Sequence, residues 1–259
     1  MTDPLGRAEQ SALSTQLRET AAWVVDLLFE RTAPAAPADP IPARSCRLAA
    51  GRRVAFCSLV AGCGVTTLAA LSAQRSGGAG ATVRLLDLDL VAPTVALLAG
   101  ERTPTLLDAL SADPLRGRKW GSAFVVFGAE RDPGAEVTEA LAALVRRCAS
   151  DGAVIVDAGT LAERSEAILR ACDAVVYVTT PRAAHVHAAA RALPLLRALD
   201  RAPRVVVNRA TREAAEAIAA ELGLPLAGAV PEDPFLARDD FRVRAETARA
   251  VDLLLQALA

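Results

Sequence analysis

The sequence predicts an α/β domain, a mostly parallel sheet flanked by helices, with an N-terminal helical extension. Three observations lead there. From Arg53 onward, short apolar runs alternate with helical stretches, the arrangement that βαβ units require. Hydrophobic residues make up 53% of the chain but aromatics only 3%. The apolar content is therefore mostly Ala, Val and Leu, which suits a parallel sheet covered on both faces. Finally, 259 residues suffice for one such domain with a large core and a short extension.

Residues 8–31 read as one amphipathic helix. Leu13, Leu17, Ala21, Val24 and Leu28 recur at helical spacing, and Trp23 and Leu27 widen the stripe. Its polar face carries Glu9, Glu19, Asp26 and Glu30, which disfavours an anionic membrane surface. Four prolines between Ala33 and Pro42 make the next segment a semi-extended linker. Residues 1–43 thus form an appendage, which packs back on the domain, self-associates or docks on a partner. The main domain is expected over 44–259.

Within it, residues 54–59 form the first strand and 66–74 a helix. Residues 83–87 and 124–127 form the second and third strands. A helix over 136–148 precedes a strand over 153–157. Strands over 173–178 and 204–208 are each followed by an Ala-rich helix. Residues 226–230 form the last strand, and the final helix lies within 239–258. In such sheets ligands bind at the carboxyl ends of the strands, so the polar residues there are the ones to read.

The first strand ends in Val60, Ala61, Gly62, Cys63, Gly64, Val65, Thr66 and Thr67. Small residues let backbone N–H groups curl around a phosphate at a helix N-terminus, and a hydroxyl at the helix start can ligate Mg²⁺. A plain Gly-rich turn would read the same way, because Val65 stands where a phosphate loop carries lysine. The other strand ends supply companions: Asp87 and Asp89 with Pro93 and Thr94, then Asp157, then Asn208 with Arg209, then Pro231 with Glu232 and Asp233.

Bulk properties exclude several classes. The net charge is −1, so no global basic field draws in nucleic acid or anionic lipid. Lys119 is the only lysine. The five cysteines, Cys46, Cys57, Cys63, Cys148 and Cys172, form no C-x-x-C pair, so neither a zinc site nor a disulfide framework is expected. Cys57 and Cys172 read as small core residues, and reduced thiols fit a cytoplasmic protein. No apolar run approaches a transmembrane span of ~20 residues. Residues 1–10 are polar and acidic rather than signal-like. The end of the chain carries no trailing basic helix, so membrane attachment there is not expected. Arg116, Arg118 and Lys119, next to Trp120, make the most cationic short stretch, read as a solvated loop or a DNA contact. Arg238, Arg242, Arg244 and Arg249 make a second. Either could bring positive charge to a phosphate. His185 and His187, two apart on a helix, do not face one another and receive no role.

Taken together, residues 52–258 resemble the MinD/ParA family of deviant Walker P-loop ATPases. The family's K-G-G-x-G-K-T-T loop aligns with Val60–Thr67. Its D-x-D segment aligns with Asp87 and Asp89, followed by Pro93, Thr94, Leu97, Leu98 and Gly100. Its Walker B carboxylate aligns with Asp157, its D-A-V strand with Asp173–Pro181, and its P-E-D with Pro231–Asp233. The resemblance implies ATP or ADP with Mg²⁺ as cofactor. Nucleotide would be held by Ala61, Gly62, Cys63, Gly64, Val65, Thr66, Thr67, Asp87, Asp157, Asn208, Arg209 and Pro231, with Asn208 reading the base. Thr66 would ligate the metal, Asp157 would hold its water shell, and Asp89 would orient the attacking water.

Both family lysines are replaced. In the family one reaches the partner's phosphates across a dimer and the other holds the β- and γ-phosphates; here Val60 and Val65 do neither. Each lost charge-assisted bond costs about 1.5–3 kcal/mol, so ATP binding is expected to weaken by orders of magnitude unless an Arg substitutes. Hydrolysis is expected to suffer more than binding. The resemblance extends to lysine-poor members such as TadZ/CpaE-like and septum-site-determining relatives. It implies a homodimeric positioning or scaffolding pseudo-ATPase for a pole, a Tad-type pilus or secretion machine, or the septum. The alternatives are an active ATP-gated switch and a DNA-associated partition protein.

Overall fold

The computed structural model describes residues 46–111, 117–129, 134–162, 164–199, 201, 203–237 and 243–259. The helix expected over 8–31, its linker, Arg116, Arg238 and Arg242 lie outside the described residues.

Strand β1 (Arg53–Ser58) leads through the Gly-rich turn into helix α1 (Val65–Gly78). Then come β2 (Val83–Asp87), two short helices α2 (Val95–Ala99) and α3 (Leu106–Ser111), and strands β3 (Arg118–Trp120) and β4 (Ala123–Val126). Helix α4 (Thr138–Cys148), strand β5 (Ala153–Thr160), helix α5 (Ser165–Arg170) and strand β6 (Ala174–Thr179) follow. Helix α6 (Ala183–Arg197), strand β7 (Arg204–Asn208), helix α7 (Arg212–Leu222), strand β8 (Leu226–Val230) and helix α8 (Ala245–Leu258) complete the described chain.

The eight strands form one sheet in the order β3-β4-β2-β5-β1-β6-β7-β8. Every pairing is parallel except β3 with β4. Strand β1 lies between β5 and β6, and the chain winds to one side of it before β5 and to the other after. The turn leaving β1 therefore sits at the topological switch point, where doubly wound sheets bind ligands.

Side chains alternate across the sheet, as a period of two requires. On β1, Ala55 and Cys57 enter one apolar layer and Val54 and Phe56 the other. The first layer is closed by Leu141, Leu144, Ile168, Leu169, Leu196 and Leu222 of α4, α5, α6 and α7. The second is closed by Leu68 and Leu71 of α1 and Val251, Leu254 and Leu255 of α8. Full burial of each such side chain contributes about 1.5–3 kcal/mol. Arg75 of α1 donates from Nε to Asp252 Oδ1 of α8 at 2.8 Å, tying these two helices side by side.

The structure corrects several expected boundaries. Arg118, Lys119 and Trp120 are an antiparallel edge strand rather than a loop. Edge strands favour charged residues, so a cationic run there need not be a loop. The final helix lies within the expected span and starts at Ala245, where Arg244 is extended and its N–H donates to Asp233 Oδ2 at 2.7 Å. Helix α1 begins at Val65 and runs on to Gly78, and β5 runs three residues further, to Thr160. Cys57 and Cys172 are fully buried, as core residues should be.

Candidate functional site

The turn between β1 and α1 is held from outside, leaving its inner surface free. The Leu59 N–H donates to the Tyr177 hydroxyl at 3.0 Å, and the Val60 N–H to Ser58 Oγ at 3.3 Å. Gly62 (φ 81°) and Gly64 (φ 91°) are left-handed, which places successive N–H groups on one concave side. None of the seven N–H groups from Ala61 to Thr67 donates a hydrogen bond to any described residue. A Cβ on Gly62 would meet nothing within 4 Å, so the mouth is open. Seven unspent donors at the start of a 14-residue helix form an anion cradle.

Asn208 braces this turn from β7. Its Nδ2 donates to Cys63 O at 2.9 Å, and its Oδ1 accepts from the Arg209 N–H at 3.0 Å. The base-reading amide implied by the resemblance is thus engaged with the loop backbone, leaving one N–H of Nδ2 for other partners. His185, given no role from sequence, sits behind Cys63. Its Nδ1 lies 2.7 Å from Thr180 Oγ1 and 3.5 Å from Cys63 Sγ. Burial pushes the Cys63 thiol up, partly offset by a hydrogen bond with Ser58 and by the charges of Arg209 and Arg182.

The two valines in the lysine positions join the core. Val65 is buried among apolar neighbours, and Val60 packs against the same layer. Thr66 is half-buried, and its hydroxyl accepts from Thr94 Oγ1 at 3.1 Å.

Beside Thr66 stand three buried carboxylates, Asp87, Asp89 and Asp157. Asp87 and Asp157 face each other in the β2–β5 register. Asp87 accepts from the N–H groups of Val95 at 3.1 Å and, more weakly, Asp89 at 3.4 Å. Asp89 Oδ1 caps the turn into Pro93 by accepting from Val91 and Ala92, both at 2.9 Å. Asp157 Oδ1 accepts from Gly159 at 3.1 Å, but Oδ2 has no hydrogen-bond partner among the described residues.

Burial, then the neighbouring Asp157, pushes Asp87 up to about 8. Burial also pushes Asp157 up to about 6; the Thr66 hydroxyl nearby lowers it in part without completing a bond to Oδ2. No Arg or Lys among the described residues pairs with any of the three.

These residues fit a phosphate with its hydrated cation. The amides would take the anion, and Thr66 and the unpartnered Asp157 oxygen would hold a metal through its own waters. A cage built from protein alone does not fit, since no described group of three or more His, Cys, Asp or Glu could hold an ion.

The structure thus brings Ala61–Thr67, Asp87, Asp89, Asp157, Asn208 and Arg209 to one crevice. Pro231 lies three strands from β1, lining a cavity of about 470 Å³ with Thr211 and Arg249. The described residues of the first basic cluster lie away from the crevice. Arg118 and Lys119 sit on the far edge strand, and Arg118 pairs with Glu101 at 2.7 Å. Arg244 lies over the Phe235 ring, 5.6 Å from its centroid. Sequence reading missed Tyr177, Thr180, Arg182 and His185. The only available signal was that the strand ending at Thr179 neighbours β1, which emerges only once strand order is known.

No protein-family model and no curated protein sequence matches the chain. Solved structures do. The cell division ATPase MinD of Pyrococcus furiosus superposes with a TM-score of 0.69 at 20% identity, covering 80% of this chain and 98% of that one. The septum site-determining protein MinD of Pyrococcus horikoshii OT3, complexed with Mg-ADP, gives 0.67 at 19% identity, covering 79% and 94%. A ParA family ATPase from Chlorobium tepidum TLS gives 0.64 at 19% identity, covering 78% and 97%. The chain therefore has the fold of the MinD and ParA P-loop ATPases.

Proposed function

We propose that this protein is a MinD/ParA-like positioning or scaffolding factor. It binds a magnesium nucleotide at the turn after β1, turns it over slowly or not at all, and works as a homodimer. The observation that carries this reading is the open cradle of seven unspent N–H groups, Ala61–Thr67, kept in a chain whose lysine positions hold Val60 and Val65. The loss of lysine removes charge from where the γ-phosphate would sit, and phosphoryl transfer depends on charge there. A pole, a pilus or secretion machine, or the septum is the partner class proposed. No described helix is long and apolar enough to cross a membrane.

The test is calorimetry with Mg-ADP and Mg-ATP, combined with phosphate release and mass in solution. Saturable binding, a dimer and negligible turnover are expected. Absence of binding at millimolar nucleotide overturns the reading. A second reading, an ATP-gated switch, is favoured by the retained Thr66, Asp89 and Asp157. It requires turnover that Asp89→Ala abolishes. DNA contact through the first basic cluster is the weaker third reading, since Arg118 is already paired with Glu101.

Val65→Lys adds an ammonium to an open cradle. It is expected to tighten Mg-ATP binding about 10-fold or more. It should also cost about 1–3 kcal/mol of stability, because Val65 leaves an apolar layer. An unchanged affinity in a folded variant would show that the cradle does not receive the phosphates.

A further inference from the structure

Arg182 and Arg209 follow β6 and β7, the first and second strands on one side of β1. Arg182 is the extended residue before α6, and its N–H donates to Thr180 Oγ1 at 3.4 Å. That hydroxyl contacts His185, which in turn contacts Cys63 of the loop. Arg209 follows β7, its N–H held by Asn208 Oδ1 at 3.0 Å, while the same amide is bonded to Cys63 O. The backbone of Arg209 is thus linked to Cys63 through Asn208, and that of Arg182 through Thr180 and His185 in turn.

Both are exposed, and neither guanidinium has an ion pair or hydrogen bond among the described residues. Other arginines near the sheet are committed: Arg53 to Asp173, Arg75 to Asp252, Arg84 to Asp151. Arg209 also holds φ +58°, the only left-handed non-glycine residue described. Such a conformation is disfavoured for a long side chain, and it fixes where the guanidinium leaves the backbone. The charges of both are felt at the Cys63 thiol.

We infer that Arg182 and Arg209 form a two-arginine clamp over the Ala61–Thr67 cradle, supplying the positive charge that Val60 and Val65 do not. Their ligand is the polyphosphate chain of a nucleoside di- or triphosphate. Guanidinium is suited to this, being always charged and presenting paired donors to phosphate oxygens. The inference rests on the nucleotide-binding reading and adds the source of its charge.

The experiment measures Mg-ATP and inorganic tripolyphosphate binding by calorimetry to the full chain, to Arg182→Gln, to Arg209→Asn and to the double variant. Asn is chosen at 209 because it tolerates the left-handed region. Unchanged thermal unfolding midpoints are expected, since both side chains are exposed. Each single variant should bind both probes about 10-fold more weakly and the double about 100-fold. Val65→Lys added to the double variant should restore at least about 10-fold. Wild-type binding with all variants within about twofold of it overturns the clamp and leaves the nucleotide-binding reading standing. No binding by the wild type overturns both.

Discussion

Asp87→Asn is expected to stabilise the protein in metal-free buffer above pH 8, by roughly 2–4 kcal/mol. Burial and the facing Asp157 raise Asp87 from 3.8 to about 8. The folded chain therefore holds a proton that the unfolded chain has released across the window between these values. Unfolded protein binds fewer protons there, so stability falls as pH rises from about 4 to about 8. The favourable state is fully present below this window and lost above it. Asn carries no charge to desolvate, and its carbonyl still accepts from Val95 N–H, the better of Asp87's two backbone bonds. Urea unfolding of wild type and variant at several pH values between 5 and 9 checks this. The wild type should lose stability across the series and the variant much less. Equal slopes would show that Asp87 ionises freely. Saturating Mg-nucleotide should narrow the difference, because a cation beside Asp157 offsets the same charge.

Gly64→Ala should damage both fold and site. A Cβ there would lie 2.3 Å from Asn208 Nδ2, forcing the amide off Cys63 O. The lost bond leaves a buried polar group unpaired, at about 1–3 kcal/mol, and the left-handed backbone adds about 1–2 kcal/mol. The total, about 2–5 kcal/mol, should appear as a lower denaturant midpoint together with weakened nucleotide binding. Gly62→Ala is the control. It has a similar positive φ but no atom within 4 Å of the new Cβ, so only the backbone cost of about 1–2 kcal/mol applies. If the two variants lose equal stability, the Asn208 brace contributes nothing.

How much of this was legible follows from the kind of signal each feature leaves. Strands buried on both faces leave uninterrupted apolar runs, and the valines within Arg204–Asn208 fix that strand's boundaries to the residue. The Gly-rich turn and the carboxylates at strand ends carry their chemistry in local spacing. Strand β3 is invisible because three residues with two cations show no apolar alternation. The start of α8 depends on Asp233 capturing the Arg244 N–H across eleven residues, a tertiary bond that periodicity does not encode. Likewise His185 and Tyr177 reach the loop only because β6 lies beside β1. Their sequence distance from Cys63 hides that, and an i, i+2 histidine pair on a helix carries no pattern. The basic clusters misled for the same reason, since charge run in sequence says nothing about which sheet edge it occupies.

In the proposed site backbone amides do what lysines do elsewhere, aided by charges from other strand ends. Protein labelled with [¹⁵N]glycine reports this directly, because Gly62 and Gly64 lie within the cradle. On titration with Mg-ADP, their amide resonances should move in a saturable way, assigned by loss in Gly62→Ala and Gly64→Ala. Glycines far from β1, such as Gly223 at the end of α7, should stay fixed. Unmoved Gly62 and Gly64 resonances at millimolar Mg-ADP, or shifts confined to other glycines, would show that the lysine-free turn does not hold the phosphates.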